Sequence, residues 1–145
     1  GIDEVVVLEV NLDDCTGEQI GYAFEALFAA GALDVFATPV IMKKNRPGVL
    51  LSVLAPLDRQ QACEEALFAE TTTFGVRAHV CRRRKLPRSI ETVTTPFGEI
   101  RVKIGRRGGR VVIASPEYED CARAARQHGV PLRDVMDAAK SAIRT

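Results

Sequence analysis

Glu4-Val5-Val6-Val7-Leu8-Glu9-Val10-Asn11-Leu12-Asp13-Asp14-Cys15-Thr16-Gly17-Glu18-Gln19 holds the transition that decides the fold. Its first half is short and dense in β-branched residues, which reads as a strand. Its last four residues match a capping box, in which a Thr hydroxyl and a Gln side chain three positions on satisfy free N–H groups at a helix start. Ile20, Ala23, Phe24, Leu27 and Phe28 then recur at helical spacing, and Gly31 stops the run. Asp13 and Asp14 stand at the junction of the two elements.

Working outward, residues 33–41 alternate as a second strand, which Pro39 places at a sheet edge. Asn45-Arg46-Pro47-Gly48 is a turn. Residues 49–55 are continuously apolar and read as a central strand buried on both faces. Asp58 is placed to cap a second helix ending at Glu70, with Ala62, Cys63, Ala66 and Leu67 inward. Residues 76–82 give a fourth strand. This β-α-β-β-α-β order predicts an α+β chain with a ferredoxin-like core, sheet order 4-1-3-2 and both helices on one face.

The core is expected to span residues 1–86. Residues 87–145 read as an appendage packed on the core or on a neighbouring subunit. In it, residues 89–95 and 99–105 form a hairpin around Pro96-Phe97-Gly98. Ile100, Val102 and Ile104 share one face of it. Residues 105–110 read as a mobile basic loop and residues 111–113 as a short strand. Ser115-Pro116 opens a helix with Tyr118, Cys121, Ala122 and Ala125 inward. Gly129 ends it, and Pro131 starts a last helix with Leu132, Val135, Met136 and Ala139 inward.

The 145 residues are 46% apolar and 27% charged, the balance of a globular chain. No apolar run approaches the ~18 residues of a membrane span. The acidic start runs straight into a strand, without a signal peptide, and the missing initial Met suits a piece of something longer. The net charge of +1 hides an asymmetry. Residues 1–76 carry 12 acids and 4 bases, whereas residues 77–110 carry 11 bases and 2 acids. Such a basic segment marks an anion site or a subunit contact. Cys15, Cys63, Cys81 and Cys121 are far apart and form no C-x-x-C pair, so a reduced, cytoplasmic setting fits.

Three polar segments carry the candidate chemistry: residues 11–17, 42–48 and 70–77. The predicted topology sets all three at one end of the sheet. Asp13 and Asp14 can hold a hard cation such as Mg²⁺ or Mn²⁺, or one can cap the helix while the other is solvated. Lys43, Lys44 and Arg46, with Asn45, can neutralise phosphates, or form a turn with edge-protecting lysines. Thr71, Thr72 and Thr73 can bind phosphate, ribose or a base edge, or simply lead into a strand. A cation between the acids and the bases would reconcile the two sets. Arg82 and Arg84, in the run Arg82-Arg83-Arg84-Lys85, fall at the opposite end and read as a solvated edge, a second-choice anion site, or a contact that completes a neighbouring subunit's site. Few aromatics accompany them, so nucleic acid is not expected. His79 and His128 lack ligand-spaced partners, and residues 105–109 lack the G-K-[ST] ending of a phosphate loop.

Residues 7–14 with Thr16-Gly17-Glu18, and the strings at 42–48, 70–77, 82–86 and 116–121, resemble in this order the C-terminal part of the LarC nickel-insertion proteins. The resemblance implies a lyase-type cyclometallase as the full-length protein. Such a protein inserts nickel into pyridinium-3,5-bisthiocarboxylic acid mononucleotide, forming the nickel-pincer cofactor of lactate racemase. It implies CTP with Mn²⁺ or Mg²⁺, and a homo-oligomer, trimer or hexamer. The histidine-rich stretch of the N-terminal part is missing here, so Ni²⁺ is expected to be held mainly outside this chain, which binds CTP without full activity. The alternative is a non-catalytic ligand-sensing or oligomerisation domain, since fold does not fix function.

Overall fold

The computed structural model describes residues 1–143, which divide into two compact units: Ile2–Arg84, and Lys85 onward with Gly1. The first unit runs β1 (Ile2–Leu12), α1 (Gly17–Ala29), β2 (Asp34–Met42), β3 (Arg46–Ala55), α2 (Gln60–Glu70) and β4 (Arg77–Arg84). Its sheet has the order β2-β3-β1-β4 with antiparallel neighbours throughout, the ferredoxin-like arrangement expected. Both β1 and β2 run against β3, so their carboxyl ends lie at the same end of the sheet.

Alternation along the strands makes the core. Val6, Leu8, Val10 and Leu12 of β1 and Leu51, Val53 and Ala55 of β3 face Leu27, Cys63 and Leu67 of the helices. Full burial of each such Leu or Val contributes roughly 1.5–3 kcal/mol. The capping box forms: the Gln19 amide donates to Thr16 Oγ1 at 3.1 Å, and the Thr16 amide donates to Gln19 Oε1 at 2.9 Å. It anchors the first turn of α1 directly behind the Asp13-Asp14 pair.

Three local expectations change. Asp58 does not cap α2; it sits in a 3-10 turn, Leu57–Arg59, closed by the Arg59 amide donating to the Pro56 carbonyl at 3.0 Å. That turn takes up the residues a capped helix would need, and α2 starts afterwards with no side-chain cap. Phe28 and Ala62 are exposed, because each helix lays only a narrow i, i+4 stripe on the sheet: Ala23 with Leu27, and Cys63 with Leu67. Strand β3 is central, but Leu50 and Leu54 on its second face are only half-buried.

The second unit runs β5 (Arg88–Thr95), β6 (Gly98–Arg107), β7 (Arg110–Pro116), α3 (Tyr118–His128) and α4 (Leu132–Ser141). Its sheet is antiparallel in the order β5-β6-β7. Val93, Ile100, Val102 and Ile104 pack beneath Cys121, Ala124, Ala125, Val135 and Ala139 of the two helices. The expected mobile loop at residues 105–110 is instead hairpin. Strand β6 continues to Arg107, and Gly108 and Gly109 turn the chain at φ of 58° and 77° into a β7 longer than expected. Two successive left-handed residues form the turn that matches strand twist, and Gly-Gly supplies them without strain. Tyr118, at the first helical position, is exposed, since the buried stripe of α3 starts at Asp120. Among the described residues no helix is long and apolar enough to cross a membrane.

Candidate functional site

The end of β1, the β2–β3 hairpin and the loop after α2 meet through side chains. Asp13 follows β1 and lies 3.6 Å from the Arg46 guanidinium. Asp14 accepts a hydrogen bond from the Thr72 hydroxyl at 2.6 Å across 58 residues of sequence. Acid pair, basic hairpin and threonine loop are thus brought together. The Asp13–Arg46 contact is long and its arginine is half exposed, so it contributes little to stability and separates readily.

The hairpin is tight. Lys43–Asn45 form one 3-10 turn, and the Arg46 amide donates to the Lys43 carbonyl. Lys44 and Asn45 both take positive φ, 62° and 58°. Asn tolerates this conformation, but a lysine there carries about 1–2 kcal/mol of strain. Lys43 and Lys44 are exposed, and among the described residues neither has an acidic partner. Behind them, Gly48 lets β3 approach: a Cβ on it would lie 2.7 Å from the Leu12 carbonyl oxygen and 2.5 Å from Met42 Sδ. This glycine sets the spacing between the hairpin and the strand that ends in the carboxylates.

The three threonines differ. The Thr71 hydroxyl donates to the Leu67 carbonyl at 2.6 Å, closing the end of α2. The Thr73 hydroxyl donates to the Gly75 carbonyl at 2.6 Å, bracing the loop. Only Thr72 of the three reaches the carboxylates in this structure. Arg82 and Arg84 are not brought to this end: they pair in register with Glu4 and Ile2, at the start of β1. Between them Arg83 makes a two-bond pair with Asp3, at 3.1 and 2.9 Å.

A divalent cation fits this donor set only in part. Asp13 and Asp14 offer carboxylate oxygens, but among the described residues no three His, Cys, Asp or Glu side chains converge. Octahedral Mg²⁺ or Mn²⁺ bound by one or two carboxylates takes its other oxygens from phosphates and water. The residues therefore suit a metal that arrives with a phosphate chain, not a resident ion held by protein alone.

Two further features adjoin the threonine loop. Phe74 is fully exposed, an aromatic ring between Thr73 and Gly75. Its sequence signal was a phenylalanine outside any periodic run. A depression of about 340 Å³ lies between the helices, lined by Glu18, Gln19, Tyr22, Ala69, Glu70 and Thr71. Tyr22 follows Glu18 by four residues, the spacing that shares a helix face.

The strongest charge cluster lies elsewhere, in the second unit. Asp120 is buried, and its carboxylate accepts from the Arg101 amide at 3.0 Å, from Arg101 Nε and Nη2 at 2.9 and 2.8 Å, and from Arg123 at 3.2 Å. Hydrogen bonds from Arg101 hold this carboxyl well below the usual carboxylate range. The cluster ties α3 to β6.

The family model described as nickel insertion protein matches residues 1–136. A pyridinium-3,5-bisthiocarboxylic acid mononucleotide nickel insertion protein of Geobacillus kaustophilus is 48% identical over 143 residues, 98% of this chain and 35% of that protein. A solved structure of LarC2, the C-terminal domain of a cyclometallase involved in synthesis of the NPN cofactor of lactate racemase, is 42% identical with a TM-score of 0.91, covering 98% of both chains. A Methanopyrus kandleri protein of known structure is 28% identical with a TM-score of 0.67, over 98% of this chain and 90% of that one. The chain spans about a third of the length of the curated relatives it matches, 34% and 35% in two cases.

Proposed function

The chain belongs to the nickel insertion protein family, and on that premise we propose that it is the CTP-binding C-terminal part of a cyclometallase. The whole protein inserts Ni²⁺, its substrate metal, into pyridinium bisthiocarboxylate mononucleotide to give the nickel-pincer cofactor. The first unit, Ile2–Arg84, carries the nucleotide. The observation behind this reading is the meeting of Asp13, Asp14, Arg46 and Thr72 from three loops.

Lys43 and Lys44 meet the phosphates as point charges and Arg46 as a two-pronged donor. Arg46 leaves Asp13 for phosphate as the nucleotide arrives, an exchange made easy by their long contact. Asp13 and Asp14 would hold Mn²⁺ or Mg²⁺, and that metal would supply charge neutralisation on the triphosphate. Asn45 and the Thr71-Thr72-Thr73 loop contact phosphate, ribose or base, and Phe74 offers its face to the pyrimidine. Fixed positive charge aimed at the phosphate oxygens favours phosphate-bond cleavage. The exposed edges β2 and β4 favour a symmetric homo-oligomer, for which the family resemblance implies a trimer or hexamer, and in it a neighbour's Arg82 and Arg84 reach the same triphosphate.

Calorimetric titration of CTP, beside ATP, with Mn²⁺ and with EDTA tests this. Binding is expected to require the metal, to prefer CTP, and to weaken at least about tenfold in Asp14→Ala, Lys43→Ala and Phe74→Ala. Unchanged binding in Asp14→Ala and Lys43→Ala would move the site to Arg82 and Arg84. No binding of either nucleotide would leave a ligand-sensing or assembly domain.

A further inference from the structure

The outer face of the β5-β6-β7 sheet carries a notch that the nucleotide reading does not use. Register sets Arg88, Gly105 and Ile113 side by side across the three strands, and Ile90, Lys103 and Ser115 in the next row. Gly105 sits in the middle of its row. A Cβ there would lie 3.4 Å from Ile113 Cβ and 3.5 Å from Leu86 Cδ1, so the missing side chain leaves a floor between two apolar walls. The cavity above it measures about 260 Å³, and Lys85, Arg88, Lys103 and Ser115 complete its lining. An adjoining depression shares Arg88 and Lys103 and adds Ser89 and Ile90.

Charge is unbalanced at this place. Among the described residues neither Arg88 nor Lys103 has an acidic partner, whereas Arg101 and Arg106 on the same strand are both paired with carboxylates. Arg88 and Lys103 are diagonal neighbours in the ladder, about 7–8 Å apart at the backbone. Two cations so separated suit a ligand with two anionic groups better than a single phosphate. The cavity of about 260 Å³ has room for one ring with its substituents.

We infer that this notch binds a flat aromatic ring bearing two anionic groups, with the ring between Leu86 and Ile113 and the anions on Arg88 and Lys103. The choice of a pyridine dicarboxylate-type ring rests on the nickel-insertion reading above; the notch and its unpaired cations do not. The organic substrate is thereby held in the second unit, at residues different from those proposed for CTP.

The test is titration of pyridine-3,5-dicarboxylate into the full 145-residue chain, followed by amide chemical shifts, with benzoate, inorganic phosphate and CTP as separate titrants. Shifts are expected at Leu86, Gly105 and Ile113. The affinity is expected to fall at least about tenfold in Lys103→Glu and in Arg88→Glu, both exposed positions, and to hold in Asp14→Ala. Gly105→Leu, which fills the floor, is expected to abolish binding; the two surface variants keep the test valid if it fails to fold. Loss in Asp14→Ala with retention in Lys103→Glu would overturn the inference and put the ring at the nucleotide loops. Phosphate or benzoate binding as tightly would also overturn it, leaving a general anion patch. CTP moving these amides while pyridine-3,5-dicarboxylate does not would overturn the pyridine assignment. Failure of CTP to bind at the three loops bears only on the nucleotide reading.

Discussion

Two charge clusters, one in each unit, are built in opposite ways. In the first, carboxylates and cations gather at the exposed end of a sheet and are loosely joined: Asp13 meets Arg46 at 3.6 Å, and Lys43 and Lys44 stand in solvent. In the second, Asp120 is buried and meets four donors within 3.2 Å. The backbone differs likewise. Positive φ falls on Gly31 and on two non-glycine residues, Lys44 and Asn45, in the first unit, but among the described residues of the second it falls on glycines alone: Gly98, Gly108, Gly109 and Gly129. Satisfied charge and unstrained turns stabilise. Unsatisfied charge and a strained lysine keep groups available for a ligand, and such outliers gather at functional sites.

The sharpest way to break this contrast is to remove one charge from each cluster. Asp120→Ala is expected to destabilise the second unit by about 2–3 kcal/mol, since charged hydrogen bonds contribute about 1.5–3 kcal/mol each and Arg101 remains partly solvated. Arg46→Ala is expected to change stability by under about 1 kcal/mol. Urea unfolding measures both. The buried thiols Cys63 and Cys121, both raised in pKa chiefly by burial, report on each unit separately. Asp120→Ala should speed labelling of Cys121 and leave Cys63 alone; equal effects on both would erase the contrast.

The same pair has a pH signature. The Asp120 carboxyl is depressed in the folded chain, so the unfolded chain binds the extra proton first. Its contribution is complete above the unfolded value of about 3.9 and is lost as pH falls below that toward the folded value. The wild type is therefore expected to lose stability steeply below about pH 4, and Asp120→Ala to show a shallower slope there. A slope unchanged by the substitution would count against the clamp.

Gly48→Ala comes next, at about 1–3 kcal/mol of destabilisation. The added Cβ would meet the Leu12 carbonyl, a backbone atom that cannot swing aside. CTP affinity is expected to fall with it, because the strand carrying Asp13 and Asp14 must shift. The smallest effect is at Lys44. Lys44→Gly relieves the left-handed lysine and is expected to add about 1 kcal/mol of stability while weakening CTP binding. Stability without loss of affinity would show that Lys44 only shapes the turn.

Much of this is legible in the sequence alone. Period-two runs, the capping box at Thr16 and Gln19, and Pro39 at an edge gave the order of elements in the first unit. That order alone set residues 11–17, 42–48 and 70–77 at one end. Asp120 was missed because it reads as one more acid in the first turn of a helix, where acids are common. Its burial follows from Arg101, 19 residues away on another element. Phe74 was missed because loops carry no periodicity to mark an outward ring.

Sequence by itself determined which residues form strands and helices, in what order, and therefore which loops share an end. Those properties are local: propensity, capping and spacing act within a few residues. Tertiary structure alone decided that Thr72 and not Thr71 or Thr73 meets Asp14, that Gly48 lies against Leu12, that Asp120 is clamped, and that Gly105 opens a notch beside two unpaired cations. Each of these depends on strand register and on contacts between segments far apart in the chain. A one-residue slip would turn every such side chain to the other face.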